Sequence, residues 1–365
     1  MIPGRATAEG TRGFARRSDA APGHFRQAAG LSLSSIGLGT YLGSEDDATD
    51  RGYEDCLRLA LSSGVNVFDS AINYRGQRSE RAIGRALKAA FDEGLAGRDE
   101  VFVSTKGGYL PHDAQDPRGP RAYILETFVE SNLAPRSEIV RGGHCIAPTY
   151  LRDQIARSRE NLGLATIDLY YLHNVESQRA AVGQESFHRR LREAIEVLEE
   201  AVSKGAISCW GVATWDGLRA PPEHPEHLSM AQLRVLAEEV AGAGNHFRGV
   251  QLPVNLAMPE AIAYPSQEGP AGRGSALDVA AQLNLAAFGS ASILQGRLAA
   301  DLPEEIEEAF RQARPGAQKA LQFSRSAPGM TTSLVGVSTP EHAREDFALA
   351  KIPPADPSVV LGLFS

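Results

Sequence analysis

A short apolar run, followed by a stretch whose apolar residues recur at helical spacing, repeats along nearly the whole of this chain. The runs that read as strands are 35–41, 64–69, 101–106, 167–173, 207–213, 249–254, 284–288 and 333–337. A first helical stripe carries Tyr53, Cys56, Leu57, Ala60 and Leu61, and further helical patterns fall near 78–91, 151–162, 188–204, 229–241, 274–283, 315–326 and 340–350. Parallel strands need helical crossovers of one hand and cover on both faces, so eight such units close most economically into a (β/α)8 TIM barrel. An open doubly wound sheet is the alternative. It wants a Gly-x-Gly-x-x-Gly turn opening a helix, and Gly37-Leu-Gly39-Thr-Tyr-Leu-Gly43 only grazes that spacing before an acidic loop.

Several strand ends change chemical character abruptly. Gly64 to Glu80 reads GVNVFDSAINYRGQRSE: an apolar strand, then Asp69, then Tyr74 on the following loop. Gly76 loosens that loop, and Ser79 is placed to cap a helix carrying Ala82, Ile83, Ala86 and Leu87. Two further apolar runs end in Lys106 and His173. Singly, each such residue reads equally well as a solvated strand end, Asp69 as a loop cap and Tyr74 as pocket lining. Brought to one mouth of a barrel, they offer more. A phenol titrates near 10, and a nearby ammonium held by a carboxylate favours its ionised form, which predicts a lowered pKa for Tyr74. A histidine alongside can orient a carbonyl or relay a proton.

The order Gly-Leu-Gly-Thr-Tyr41, Phe-Asp69-Ser-Ala-x-x-Tyr74, Ser-Thr-Lys106 and Tyr-Leu-His173 resembles the aldo-keto reductase superfamily. The likeness continues through Gly211-Val-Ala-Thr-Trp215, Gly249-Val-Gln-Leu-Pro-Val-Asn255 and Val335-Gly-Val-Ser-Thr-Pro-Glu-His-Ala343, covering about residues 25 to 350. It implies a catalytic tetrad of Asp69, Tyr74, Lys106 and His173, reducing an aldehyde or ketone with NADPH, or with NADH. It also implies that Asn174, Thr214 and Gln251 hold the nicotinamide end, that Phe288 stacks on the ring, and that Gly336, Ser338, His342 and Asp346 meet the adenosine end. The family often has Ser-Asn where this chain has Ala213-Thr214. Gly336 and His342 replace its usual basic residues, and Asp346 replaces an asparagine, which leaves the choice between the two nucleotides open. Tyr41, Tyr109, Trp215 and Tyr264 are the aromatic candidates for a pocket taking a carbonyl compound or a sugar. Two other functions remain compatible with a barrel of this kind: a nicotinamide-binding regulatory subunit without turnover, and a lyase or epimerase using tightly held NAD.

Three connections, 107–149, 255–273 and 289–314, are too long for simple turns and follow strands, so they are expected to build the pocket. Residues 1–24 lack periodicity and read as an irregular arm, leading into a hairpin over 24–39 with its turn near Ala29-Gly30; residues 25–365 read as a single barrel. The formal charge of −8 disfavours nucleic acid and anionic membranes as partners. No apolar run approaches the roughly 20 residues of a membrane helix. The three cysteines are scattered, which fits a reducing cytoplasm better than a disulfide framework, and no metal spacing is present. His112, His144, His188, His224, His227, His246 and His342 match no catalytic spacing and read as surface residues.

Overall fold

The computed structural model describes residues 1–314 and 316–364. The N-terminal arm departs from expectation: α1 (Ala8–Arg17) is a helix, capped by the Thr7 hydroxyl at the backbone N–H of Gly10. A single apolar side chain, Phe14, anchors it, with Thr11 buried beside it, and one anchor makes no period to detect. Backbone bonds moor the rest of the arm, from Ile2 N–H to Gly163 O (2.6 Å) and from Thr7 N–H to Asp99 O (2.9 Å).

A hairpin of β1 (Phe25–Ala28) and β2 (Leu31–Ser34) follows, turning on Ala29 and Gly30, which are both left-handed at φ 49° and 77°. Then come β3 (Ile36–Gly39), α2 (Asp47–Ser62), β4 (Val67–Asp69), α3 (Arg78–Asp92), β5 (Phe102–Gly107), α4 (Pro120–Ile124), α5 (Pro148–Leu162) and β6 (Ile167–His173). The second half runs α6 (Glu176–Val182), α7 (Gln184–Ser203), β7 (Ile207–Ala213), α8 (Met230–Ala241), β8 (Phe247–Pro253), α9 (Glu260–Ala263), β9 (Gln267–Gly269), β10 (Gly272–Gly274), α10 (Ala276–Gln282) and β11 (Ala286–Ser290). It ends with α11 (Glu304–Ala309), α12 (Ala317–Ser326), β12 (Thr332–Gly336), α13 (Pro340–Phe347) and α14 (Pro357–Gly362). Of the expected helix 315–326, the first residue lies outside the described residues, as does residue 365.

β3, β4, β5, β6, β7, β8, β11 and β12 close a barrel in that order, every neighbouring pair parallel. The open-sheet alternative is thereby excluded. Inside the barrel, Val67, Phe102, Leu169, Tyr171, Phe288 and Leu334 pack with Leu33 of the hairpin and Ala6 of the arm. Outside it, a larger apolar layer fills the space between strands and helices. Among the described residues no helix is long and apolar enough to cross a membrane.

Candidate active site

Strand β4 places Asp69 at the barrel's C-terminal mouth, and the chain beyond it keeps pairing with β5 through Ser70 N–H to Ser104 O (2.9 Å) and Ile72 N–H to Lys106 O (3.3 Å). That continuation carries Tyr74 over Lys106, whose Nζ stands 5.0 Å from the phenol ring centroid. Three successive left-handed residues, Arg75, Gly76 and Gln77, then reverse the chain into α3. This helix starts at Arg78, so Ser79 lies inside its first turn and donates to Thr40 O (2.7 Å) instead of capping.

The Lys106 ammonium is buried, ion-paired to Asp69 Oδ2 and bonded to Ser70 O at 2.7 Å. Asp69 Oδ1 accepts from Ser104 Oγ (2.7 Å) and Gln251 Nε2 (3.0 Å). Both carboxylate oxygens are therefore engaged, and Asp69 serves as a fixed counter-charge. Burial draws the Lys106 pKa down and Asp69 opposes it. The lowered phenol expected from the ammonium does not occur. Burial, with Asp69 second, holds the Tyr74 phenol well above its usual value, because Lys106 lies over the ring face and is already neutralised by the carboxylate.

His173 closes β6 with its ring 5.8 Å from that of Tyr74 and 5.1 Å from that of Tyr109, edge to face in both cases. Burial first, then Lys106 and His144, push its pKa well below the ordinary histidine value, so the ring is neutral at neutral pH. Its Nδ1 has no partner within the described residues.

These groups border a cavity of about 420 Å³. Of the residues singled out in the sequence, Tyr41, Asp69, Tyr74, Tyr109, His173, Asn174, Thr214, Trp215, Gln251 and Gly336 line it, with Lys106 set behind Asp69 and Tyr74. Asn174, left-handed at φ 44°, donates from Nδ2 to the Tyr109 hydroxyl (3.1 Å). Tyr41 and Trp215 stand at the rim, 57% and 43% exposed. Beyond Asp69, His173 and Trp215 the cavity's polar side chains are amides and hydroxyls, Asn73, Asn174, Thr214 and Gln251 among them, and Asn73 Oδ1 and Thr214 Oγ1 are buried without partners among the described residues.

Several expected members stand elsewhere. Phe288 points into the barrel, stacked on Phe102 at 5.7 Å and edge-on to Tyr171, in one apolar cluster with Ala213 and Leu334. Ser338, His342 and Asp346 lie outside the cavity wall: His342 is exposed on α13, while Asp346 is buried on that helix, which packs against α2. Tyr264 is 40% exposed and does not line the cavity. Its connection, 255–273, contributes nothing to the wall, since it folds into α9 and the β9–β10 hairpin. The connection 107–149 contributes Tyr109 alone, whereas 289–314 supplies Ser290 to Gln295, with Ala291, Leu294 and Gln295 left-handed.

Two buried residues near the site, His144 and Glu176, are not marked as such by the sequence. His144, taken for a surface histidine, is fully buried behind His173, and His227 is also buried. Glu176, three residues past His173, is buried and accepts from Trp215 N–H (2.7 Å), and burial raises its pKa to about 7. An acid one turn beyond a strand end was the only available signal.

A parallel (β/α)8 barrel with a phenol, a buried ammonium–carboxylate pair and a neutral imidazole converging at its C-terminal mouth is an architecture suited to acid–base work on a small molecule. Residues 35–220 match the family model for the aldo/keto reductase family, and the chain belongs to that family. Over 200 residues it is 29% identical to a D-threo-aldose 1-dehydrogenase of a Pseudomonas species, covering 51% of this chain and 52% of the relative. Over 192 residues it is 27% identical to an NADH-specific methylglyoxal reductase of Escherichia coli, covering 51% and 50%. The alignments thus span about half the length of these curated relatives. Among solved structures, an aldo/keto reductase from Klebsiella pneumoniae in complex with NADP and acetate shares the fold, with a TM-score of 0.62, 20% identity and 94% of each chain covered.

Proposed function

We propose that this chain reduces an aldehyde or ketone to the alcohol, or runs the reverse reaction, with a nicotinamide dinucleotide as hydride carrier. The observation that carries this is the convergence of Tyr74, His173 and Asp69 on one wall of a cavity, with Lys106 held behind them against the phenol ring. The residues fit such a carrier at its nicotinamide end: the amide groups of Asn174 and Gln251 and the unpartnered Thr214 hydroxyl match the needs of a carboxamide. Bound there, the dinucleotide supplies the hydride that no side chain can.

The chain's own groups handle the proton and the geometry. Tyr74 Oη, protonated at neutral pH, gives its proton to the carbonyl oxygen as the carbon is reduced. Lys106 beside the ring then stabilises the phenolate left behind, until a proton from water restores it. Asp69 holds Lys106 in place, and neutral His173 orients the carbonyl through a hydrogen bond. The aromatic rim of Tyr41, Tyr109 and Trp215 receives the rest of the substrate, a small carbonyl compound or a sugar.

Among the described residues no lysine or arginine lines the cavity, so its wall offers no cation to a 2′-phosphate, and NADPH is proposed as the carrier with NADH as the alternative. Three free cysteines, Cys56, Cys145 and Cys209, accord with a cytoplasmic setting.

The test is Tyr74→Phe. Turnover of a carbonyl panel should fall by about a hundredfold or more, while both nucleotides still quench the fluorescence of Trp215. Undiminished turnover in the variant would refute the assignment. Binding without turnover in the unaltered protein would favour a regulatory subunit instead.

A further inference from the structure

His144 belongs to the long connection between β5 and α5, has no accessible surface, and has no assigned part in the chemistry above. Its Nε2 lies 2.6 Å from the backbone oxygen of His173, and its Nδ1 lies 2.9 Å from Gln178 Nε2. Its ring meets that of Tyr109 edge to face at 5.1 Å. Behind it, Gln178 Oε1 accepts from Arg190 Nη1 at 2.7 Å. Arg190 also donates to Ser137 O (2.8 Å) and Glu138 O (3.2 Å) and is ion-paired with Glu138 (2.8 Å).

The proton positions along this chain follow from what each group is able to do. A guanidinium only donates, so Gln178 must turn its oxygen to Arg190 and its NH2 to His144. Nδ1 of His144 is then an acceptor, the single ring proton sits on Nε2, and it is donated to His173 O. Gly108, at φ 153°, has room only for hydrogen here: a Cβ would come within 2.8 Å of both His144 Nε2 and His173 O. The bond fixes the main chain at the point where His173 projects into the cavity and where Asn174 adopts its left-handed turn.

We propose that His144 is a positioning residue for the reaction: held by Arg190 and Gln178 as the neutral Nε2–H tautomer, it locks the end of β6 and the ring of Tyr109, and so sets the orientation of His173 toward the substrate carbonyl. This rests on the carbonyl-reduction reading above. The groups facing His144 are Tyr109 from the segment after β5, His173 at the end of β6, and Gln178 of α6, with Arg190 and its partner Glu138 one step behind and Arg141 acting through charge. None of these is a free carboxylate touching the ring, and burial lowers the His144 pKa to about 4.

Histidine-labelled protein, read by imidazole nitrogen NMR without substrate, should show His144 as the Nε2–H tautomer from pH 8 down to about 5. Gln178→Glu replaces the donor facing Nδ1 by an acceptor, still paired with Arg190, and should convert His144 to imidazolium at pH 7. Steady-state kinetics should then show kcat lowered by about tenfold to a hundredfold, with nucleotide KM unchanged. His144→Phe should show the same split between kcat and KM. An Nδ1–H tautomer or imidazolium in the unaltered protein overturns the proposal and leaves the reductase reading intact. A kcat indifferent to Gln178→Glu also overturns it. An unaltered protein that binds nucleotide but reduces no carbonyl, with the tautomer as described, overturns the reductase reading and the positioning role with it.

Discussion

The buried pair of Asp69 and Lys106 shows how one residue's chemistry depends on another's desolvation. Taking an ammonium out of water is costly, and here the cost is offset by one carboxylate and one carbonyl, while Ser104 and Gln251 satisfy the carboxylate's second oxygen. Asp69→Asn preserves shape but leaves Lys106 charged and unpaired. The loss should be about 3–5 kcal/mol, read as a lower urea midpoint at constant m-value. Lys106→Met in the same background should recover much of it without restoring turnover, because the uncompensated charge is gone while the phenolate's partner is missing. A double variant no more stable than Asp69→Asn would show that the penalty lies in the lost hydrogen bonds of Ser104 and Gln251 instead. The same balance explains why Tyr74 is not acidified at rest: burial of the phenol, with the Asp69 charge beside it, outweighs a cation already paired to that carboxylate.

Whole elements differ in how plainly the sequence announces them. Asp69, Lys106 and His173 were legible because each ends an apolar run with a change of chemistry, and strand ends in a barrel share one face. The placement of Phe288 in the barrel interior was not, because β11 reads Ala286-Ala-Phe-Gly-Ser290, where either parity is acceptable and only the register against Gln251 and Thr332 settles that the ring faces inward. His144 sits in a connection without period, so nothing local marks it as buried. Helix α1 was missed for a related reason: it docks through main-chain bonds and one aromatic. That makes a prediction at its own scale. Phe14→Ala, costing about 3–5 kcal/mol locally, should raise hydrogen exchange across Ala8–Arg17 while the amides of β5 and β6 stay protected. Uniform acceleration across the barrel would mean that the arm is part of the cooperative core.

Across the whole molecule, buried ionisable groups pull the pH dependence of stability in opposite directions. His24 is buried between Gly64 O (3.0 Å) and Ser35 Oγ (3.1 Å), and burial takes its pKa from 6.5 to about 4, as it does for His144. Because the unfolded chain binds these protons first, their contribution is complete above about pH 6.5 and is lost as pH falls through about 4, at about 3 kcal/mol for each. Asp346 and Glu176 have the opposite sign. Burial raises both to about 7, so the folded protein holds protons that the unfolded chain releases, and stability is lost as pH rises from about 4 to 7 by comparable amounts. The slopes of the two sets have opposite sign and offset each other in part between these limits, with His173 adding to the histidine side. Asp346→Asn removes one of them. At pH 8 the variant should be the more stable protein by a few kcal/mol, since it no longer buries a carboxylate forced to ionise. By about pH 4 the two should coincide, and across the interval the variant should lose stability with acid more steeply than its parent. Urea midpoints at about pH 4.5, 6 and 8 decide the matter: parallel profiles would mean that Asp346 ionises freely in the folded state, and that the packing of α13 against α2 admits more water than its burial indicates.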